Sequence, residues 1–405
     1  MRKLLFAASS LVMGVLFVVL CVEIGMRVLG VSYPIFFVPH DVAGARMWPN
    51  LRAWYTLEGR SFVEVNSIGF RDVDHDPVKS DSEFRIAFLG DSYTEGMQVP
   101  FEDIYWNVAS RALGACPALG DKAPVPMNFG LSGIGTAQQL EILRSFVWDY
   151  HPDMVVLAFV GNDLTDNHPA YGGRGLKPFY LFDERGELVL DDSFRRSPTF
   201  LARNSRMRNL RREIIQRSRF LQLLVEVRAS IVRRDSLDEA AKRGGQLNRP
   251  PSTERLREVW KVTEATLARL IEEVRSHGSQ FLLFTVTSGH QVHPDSTYRK
   301  DRMSKTDGDD PQYLNKRLSN LARREGAAFS SLVDLFLSYA EKTGRCLHGF
   351  ENSLPCGGHW NSEGHRLAGE EIASVICGQL LGQADLDVSS SPSIWRGFEL
   401  QTLDR

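Results

Sequence analysis

Five short apolar runs, each closed by turn-forming residues, restrict this chain more than any other feature. They are Phe84–Leu89 (FRIAFL), Val125–Phe129, Met154–Val160, Phe281–Val286 and Ala327–Val333, and each has the length and content of a buried strand. Between them, apolar residues recur at helical spacing over Tyr105–Leu113, Thr136–Trp148, Ser252–His277 and Pro311–Arg324, and a last helix is expected over Ser362–Leu381. Strands without polar alternation must be covered on both faces, so the pattern predicts an α/β fold around a parallel sheet. Composition fits that expectation. With 43% hydrophobic and 24% charged residues, a core can form, and wholesale disorder, collagen and a multi-span membrane protein are excluded. The 48 Lys and Arg nearly balance the 50 Asp and Glu, so no global charge attracts nucleic acid.

The chain begins with Arg2 and Lys3, followed by an uncharged apolar stretch from Leu4 to Val22. As a helix its 19 residues span roughly 28 Å, enough to cross a bilayer core. The run continues past Glu23 into Ile24, Gly25 and Met26 without a small-x-small cleavage pattern, so residues 1–30 read as an uncleaved signal anchor, with a long cleaved signal as the alternative. The basic end stays inside. The rest of the chain is then expected outside the cytoplasm. In that compartment Cys346 and Cys356, within a Gly-, Asn- and Pro-rich loop, can pair.

Residues 31–82 read as a connector with a small hairpin, residues 83–385 as the main domain, and 386–405 as a loose tail. The long gap between the third and fourth strands is an insertion, 164–251, which opens with HPAYGGRGLKP and a second hairpin, YLFDERGELVL. Ten arginines lie between Arg203 and Arg234, mixed with Ile214, Ile215, Phe220, Leu221, Leu224 and Val225, against only Glu213 and Glu226. Such a segment suits a membrane surface, an anionic envelope polymer, or a cap with a solvated arginine face.

The chemistry concentrates at strand ends. Gly90, Asp91 and Ser92 follow the first strand directly, where loops of a parallel sheet converge on a ligand. Ser92 is placed as a nucleophile, although Glu95 three residues on also fits a helix cap. The next two strand ends supply Asn128, Phe129 and Gly130, then Gly161, Asn162 and Asp163. They bring a glycine N–H and an amide toward the same pocket. His359 sits in a loop just before the last helix, as the base of an acyl transfer requires. No group of histidines, cysteines and acids has metal-ligand spacing, and neither metal nor cofactor is expected.

These blocks, FLGDSYTEG (88–96), NFGLSGIGT (128–136), FVGNDLTDN (159–167) and GHWNSEGHRLAGE (358–370), preceded by VNSIGFRD (65–72), resemble the SGNH or GDSL hydrolase family in its membrane-anchored bacterial branch. The resemblance implies a three-layer α/β/α sandwich with a flavodoxin-like, parallel five-stranded sheet in the order 2-1-3-4-5. It also implies Ser92 as nucleophile, His359 as general base, and an oxyanion hole formed by the Ser92 N–H, Gly130 and Asn162. Asp91 and Asp163 are then structural residues near the site, and His365 a structural helix residue.

One departure stands out. Relatives carry an acid two or three positions before the catalytic histidine, where this chain has Gly357 and Cys356. Three arrangements stay open: a backbone carbonyl orients His359 in a dyad, Asp309 or Asp310 supplies the acid, or catalysis is weakened. The expected activity is a serine ester hydrolase acting on an ester of an envelope glycan or lipid. A polysaccharide O-acyltransferase using the same residues and a catalytically weakened glycan-binding or assembly protein are the alternatives. Apart from an ester-bearing glycan or lipid, the membrane is the one expected partner.

Overall fold

The computed structural model describes residues 2–172, 175–230, 250–306, 310, 312–380 and 382. The tail from 386 and the arginines at 233 and 234 lie outside them. Helix α1 (Arg2–Val28) leads into two antiparallel hairpins, β1–β2 (Phe37–His40, Gly44–Met47) and β3–β4 (Arg52–Tyr55, Ser61–Glu64). The body follows as β5 (Glu83–Leu89), α2 (Ser92–Glu95), α3 (Tyr105–Leu113), β6 (Ala123–Asn128), α4 (Thr136–Ile142), β7 (Met154–Phe159) and α5 (Asp163–Asp166). The insertion contributes hairpin β8–β9 (Phe179–Phe182, Leu188–Asp191), α6 (Pro198–Arg203), α7 (Arg206–Arg217) and α8 (219–230). The chain then returns through α9 (Glu254–Ser276), β10 (Gln280–Thr285), α10 (Ser296–Thr306), α11 (Tyr313–Arg324), β11 (Ala328–Ser331), α12 (Val333–Thr343) and α13 (Ser362–Leu380).

The five expected strands pair in parallel in the order β11-β10-β7-β5-β6, which in chain order is 2-1-3-4-5. Their side chains divide the core in two. Ala87, Leu89, Val155, Leu157 and Leu283 pack with α4, α9 and α11 on one face. Ile86, Phe88, Val156, Leu282 and Phe284 pack with α3, α12 and α13 on the other. Alternate residues of each strand serve alternate layers, so an unbroken apolar run is what a sandwiched strand requires.

Edge strand β6 explains two prolines. Its odd residues donate toward β5, as Phe129 does to the Phe88 carbonyl at 2.9 Å, so Pro124 and Pro126 lie where an N–H would face the open edge. They offer no donor to another chain. The next outward N–H, that of Asn128, is taken by Asp72 Oδ2 at 2.7 Å.

Two helices differ from expectation. Residues 333–343 form α12, and the polar loop expected over Asp301–Pro311 is helical through Thr306 as α10. A short apolar run masks where a strand stops and a helix begins. A disulfide absent from the sequence-based expectation, Cys116–Cys377, joins the end of α3 to α13 with Cα atoms 5.7 Å apart.

The segment read as a connector is built into the body. Ala53, Val63 and Val65 are buried in the first core layer. Arg71, fully buried, donates to the Gly96 carbonyl, to the Val99 carbonyl at 2.9 Å and to Ser61 Oγ at 3.4 Å. One guanidinium therefore ties hairpin β3–β4 to the chain just after α2. Its fixed fork of donors suits this bridging better than an ammonium would.

Near Arg71 lies Glu95, fully buried and hydrogen-bonded by Ser132 Oγ. Burial pushes its carboxyl up to about 7, against the pull of Ser132 and the positive charge of Arg71. The folded chain thus holds a proton that the unfolded chain releases near about 4.3. Stability from this group is fully present below that value and is lost as the pH climbs through about 7. Denaturant unfolding of the full chain at pH 5.5 and 8 should show this fall, and Glu95→Gln should lessen it; an equal fall in both proteins would contradict the assignment.

Candidate active site

Strand β5 delivers Ser92 to the first position of α2 through only Gly90 and Asp91. Asp91 caps that helix, its Oδ1 accepting the Tyr93 N–H at 3.1 Å. The cap expected of Ser92 and Glu95 does not form, because Glu95 turns toward Ser132. Ser92 Oγ lies instead 2.7 Å from His359 Nε2.

The other side of the imidazole holds the largest departure from the sequence reading. His359 Nδ1 is 2.5 Å from Glu58 Oε2, and the His359 backbone N–H donates to Glu58 Oε1 at 2.9 Å. Glu58 lies 301 positions before His359, in the turn between β3 and β4. It is neither of the two candidates. Asp310 accepts from Lys316 Nζ at 2.9 Å and from the Gln312 N–H at 3.0 Å at the start of α11, and Asp309 lies outside the described residues. Burial alone would raise the Glu58 carboxyl, but the hydrogen bond and charge of His359 outweigh it and hold it below the usual carboxylate range. A carboxylate on Nδ1 fixes the proton there and leaves Nε2 as the acceptor facing Ser92.

The missing local acid and the new distant one are two sides of one fit. Gly358 has φ +72°, and a Cβ there would run into Glu58 Oε1. The loop before His359 is stripped of side chains on the side where Glu58 enters. Its carbonyl is held from two directions: Gly358 O accepts from His348 Nδ1 at 2.8 Å and from the Tyr93 hydroxyl at 3.0 Å. Burial brings His348 down to about 4, so it stays neutral. Its Nε2 then accepts from Thr287 Oγ1 at 2.9 Å, and that oxygen accepts from Trp360 Nε1 at 2.9 Å. The ring of Tyr93 also packs on the imidazole of His359, centroids 4.8 Å apart.

The turn carrying Glu58 is pinned as well. Asn352 Oδ1 accepts the Gly59 N–H at 2.8 Å, and its Nδ2 donates to the Thr56 and Gly59 carbonyls at 3.1 and 2.9 Å. Asn352 belongs to the loop closed by Cys346–Cys356, whose Cα atoms are 5.1 Å apart. His293 lies near this pair, but sulfurs joined to each other are not thiolate ligands.

The expected oxyanion donors fare unequally. Asn162, at the start of α5 and exposed, places Nδ2 3.1 Å from Asp91 Oδ2 and 3.2 Å from Asp166 Oδ2. The Gly130 N–H is already donated to Asn128 Oδ1 at 2.8 Å, and a Cβ on Gly130 would strike Thr94 and the Glu95 backbone. Gly130 is therefore a packing residue against α2, which corrects the sequence reading. Asp91 bridges Tyr93 and Asn162, while Asp163 Oδ2 accepts the Val160 N–H at 3.1 Å. Burial raises both carboxyls. His365 is buried, accepts the Tyr105 N–H at 3.3 Å, and is brought down by burial to about 3.

Sequence reasoning missed Glu58. Its signal was a Glu-Gly pair in a turn between two short alternating strands, with nothing local to link it to a histidine so far along the chain.

Comparison with known proteins adds a family. The model of the GDSL-like lipase/acylhydrolase family matches residues 88–367. No curated protein matches. Among solved structures, an acetyl xylan esterase, AlAXEase, is 14% identical, with 73% of this chain and 98% of that one covered at a TM-score of 0.38. A catalytic mutant of the acetylxylan esterase Axe2 from Geobacillus stearothermophilus is 15% identical, covering 74% and 96% at 0.38. A lipase/acylhydrolase from Enterococcus faecalis is 14% identical, covering 74% and 96% at 0.37. Overlap this loose says nothing about substrate. The match over more than half its length shows that the chain belongs to the GDSL-like lipase/acylhydrolase family, a family of ester hydrolases.

Proposed function

We propose that this protein is a membrane-anchored serine ester hydrolase with a Ser92–His359–Glu58 relay, acting outside the cytoplasm on an acyl ester of an envelope glycan or lipid. The observation that carries it is the pair of hydrogen bonds on opposite nitrogens of one imidazole, 2.7 Å to Ser92 Oγ and 2.5 Å to Glu58 Oε2.

In the first step Ser92 Oγ attacks the ester carbonyl while His359 Nε2 takes its proton, and Glu58 stabilises the imidazolium that forms. The tetrahedral oxyanion is met by the Ser92 N–H and by the Asn162 amide, which exchanges its solvent-exposed contact with Asp166 Oδ2 for the oxyanion. We assign the third donor to Gly133 rather than Gly130. Gly133 is exposed with open space around it, its N–H has no acceptor among the described residues, and it follows Ser132, which Glu95 of α2 holds. Collapse breaks the ester C–O bond, and His359 returns the proton to the leaving alcohol. Water, deprotonated by the same nitrogen, then frees Ser92 from the acyl group. The binding-protein alternative rested on a missing acid, and Glu58 occupies that role.

For the location, three observations agree. Within α1, Leu5–Val28 is long and apolar enough to cross a membrane, Arg2 and Lys3 precede it, and two disulfides suit an oxidising compartment. The full chain should therefore resist release from membranes by alkaline carbonate; its appearance in the wash would contradict anchoring.

For the chemistry, purified full chain should turn over p-nitrophenyl acetate and take a fluorophosphonate label, both lost in Ser92→Ala. Glu58→Gln should lower kcat by about 10⁴, in line with loss of a triad acid elsewhere, while Asp310→Asn should leave it unchanged. Turnover that survives Ser92→Ala, or a silent Glu58→Gln, would overturn the reading. Asn352→Ala should lower kcat by about tenfold or more with KM little changed, because a small misplacement of a positioned group is costly. Unaltered kcat would mean the turn holds Glu58 without Asn352.

A further inference from the structure

The insertion and the anchor meet at one place, which the catalytic geometry does not use. Glu23, the only acid in α1, accepts from Ser218 Oγ at 3.0 Å and from the Phe220 N–H at 2.9 Å. Arg27 donates to the Arg217 carbonyl at 2.7 Å. Arg217 and Arg219 flank the junction between α7 and α8. Glu23 is five residues from the end of the apolar stretch at Val28, about 8 Å along a helix. Leu5–Val28 is about 36 Å long as a helix, more than a hydrocarbon core of about 30 Å, so with Leu5 at the inner boundary Glu23 and the junction stand where the core gives way to lipid headgroups.

A cleft of about 440 Å³ opens there, lined by Arg27, Arg52, Arg217, Arg219, Gln216 and Gln222 among others. The glutamines are used in building it: their side-chain oxygens accept the Ile35 and Tyr33 N–H groups at 2.8 and 3.0 Å. The arginines are unevenly paired. Arg27 meets Glu23, Arg52 meets Glu64, and Arg217 approaches Glu213 only to 3.7 Å. Arg219 reaches Gln222 Oε1 at 3.4 Å and no carboxylate at ion-pair distance among the described residues. Burial and the charge of Arg27 both press against its protonated form. The lining holds four arginines and no carboxylate, and Glu23 and Glu64 just beyond it offset only Arg27 and Arg52.

Its surroundings are apolar and outward-facing. Met207, Leu210 and Ile214, one stripe of α7 at i, i+3 and i+7, are 82%, 60% and 52% exposed. Leu224 and Val227 of α8 are exposed as well. The outer face of β3–β4, which carries Arg52, also exposes Trp54 and Phe62 in edge-to-face contact at 5.5 Å. An exposed apolar stripe among arginines, with aromatics beside it, is what a protein surface lying in a membrane interface presents. A soluble anionic polymer would account for the arginines but not for the exposed apolar residues.

We propose that this cleft binds the phosphate-bearing headgroup of an anionic phospholipid, in the leaflet from which the catalytic body emerges. This rests on α1 being a membrane span, and it gives the basic insertion a task distinct from capping the active site. Arg219 and Arg217 bring charge to the headgroup phosphate, while the α7 stripe and Trp54 sit among the acyl chains and the interface.

The test uses full chain in neutral detergent micelles, so it stands even where carbonate extraction fails. Dihexanoyl-phosphatidylglycerol is titrated in and followed by thermal shift, beside dihexanoyl-phosphatidylcholine, inorganic phosphate and polygalacturonate. The anionic lipid should bind, and each of Arg219→Ala and Arg217→Ala should weaken it about fivefold, the scale of one basic residue near a membrane surface. Arg219→Lys should restore most of the affinity, and p-nitrophenyl acetate turnover of Arg219→Ala should match wild type, which shows that it is folded. Equal binding of the zwitterionic lipid, an equal response to inorganic phosphate, displacement of the lipid by polygalacturonate, or undiminished affinity in the arginine variants would each overturn the assignment.

Discussion

The organisation of this protein turns on one hydrogen bond, from His359 Nδ1 to Glu58, made between residues 301 positions apart. Sequence distance of that kind costs little once the fold is formed, since loop-closure entropy grows only with the logarithm of length. Precision is the harder requirement. A carboxylate on a hairpin turn must be held as firmly as one in the histidine's own loop, and the structure supplies three separate holds. Arg71 ties the hairpin to the segment after α2, Asn352 grips the turn, and Ala53, Val63 and Val65 bury the hairpin's inner face.

Those holds explain features that otherwise look unrelated. VNSIGFRD places Arg71 in the core and Asp72 on the open edge of β6, so one short motif fixes both the acid's hairpin and the strand leading to Asn128. The loop closed by Cys346–Cys356 presents Asn352. Gly358 is left bare for the carboxylate to enter. Around His359, residues 358 and 360 are bound through His348 and Thr287, while the imidazole itself remains a quarter exposed, with side-chain accessibility of 24%. Rigid neighbours with an accessible ring are what a group that moves protons needs.

Most of the sheet was legible in the sequence, because a strand covered on both faces must be apolar throughout and the five runs had no competing period. Ser92 and His359, which the fold brings to 2.7 Å of each other, were legible for the same local reason, each standing at an element boundary with its motif intact. Glu58 was not, since the property that matters is its distance to His359, and no pattern within residues 52–64 encodes that. Gly130 shows the opposite failure: its motif position suggested an oxyanion donor, but Asn128 two residues earlier takes its N–H. The helix α12 was hidden because Leu332 and Val333 serve as well to begin a helix as to end a strand.

The central claim is that Glu58 holds the proton on Nδ1 of His359. Histidine-selective ¹⁵N labelling of the full chain in micelles reads this directly. The account predicts an Nδ1–H resonance shifted strongly downfield, assigned through its absence in His359→Gln, that moves upfield or exchanges away in Glu58→Gln. An Nδ1–H resonance unchanged by Glu58→Gln, or a neutral His359 protonated on Nε2 in the wild-type protein, would contradict it.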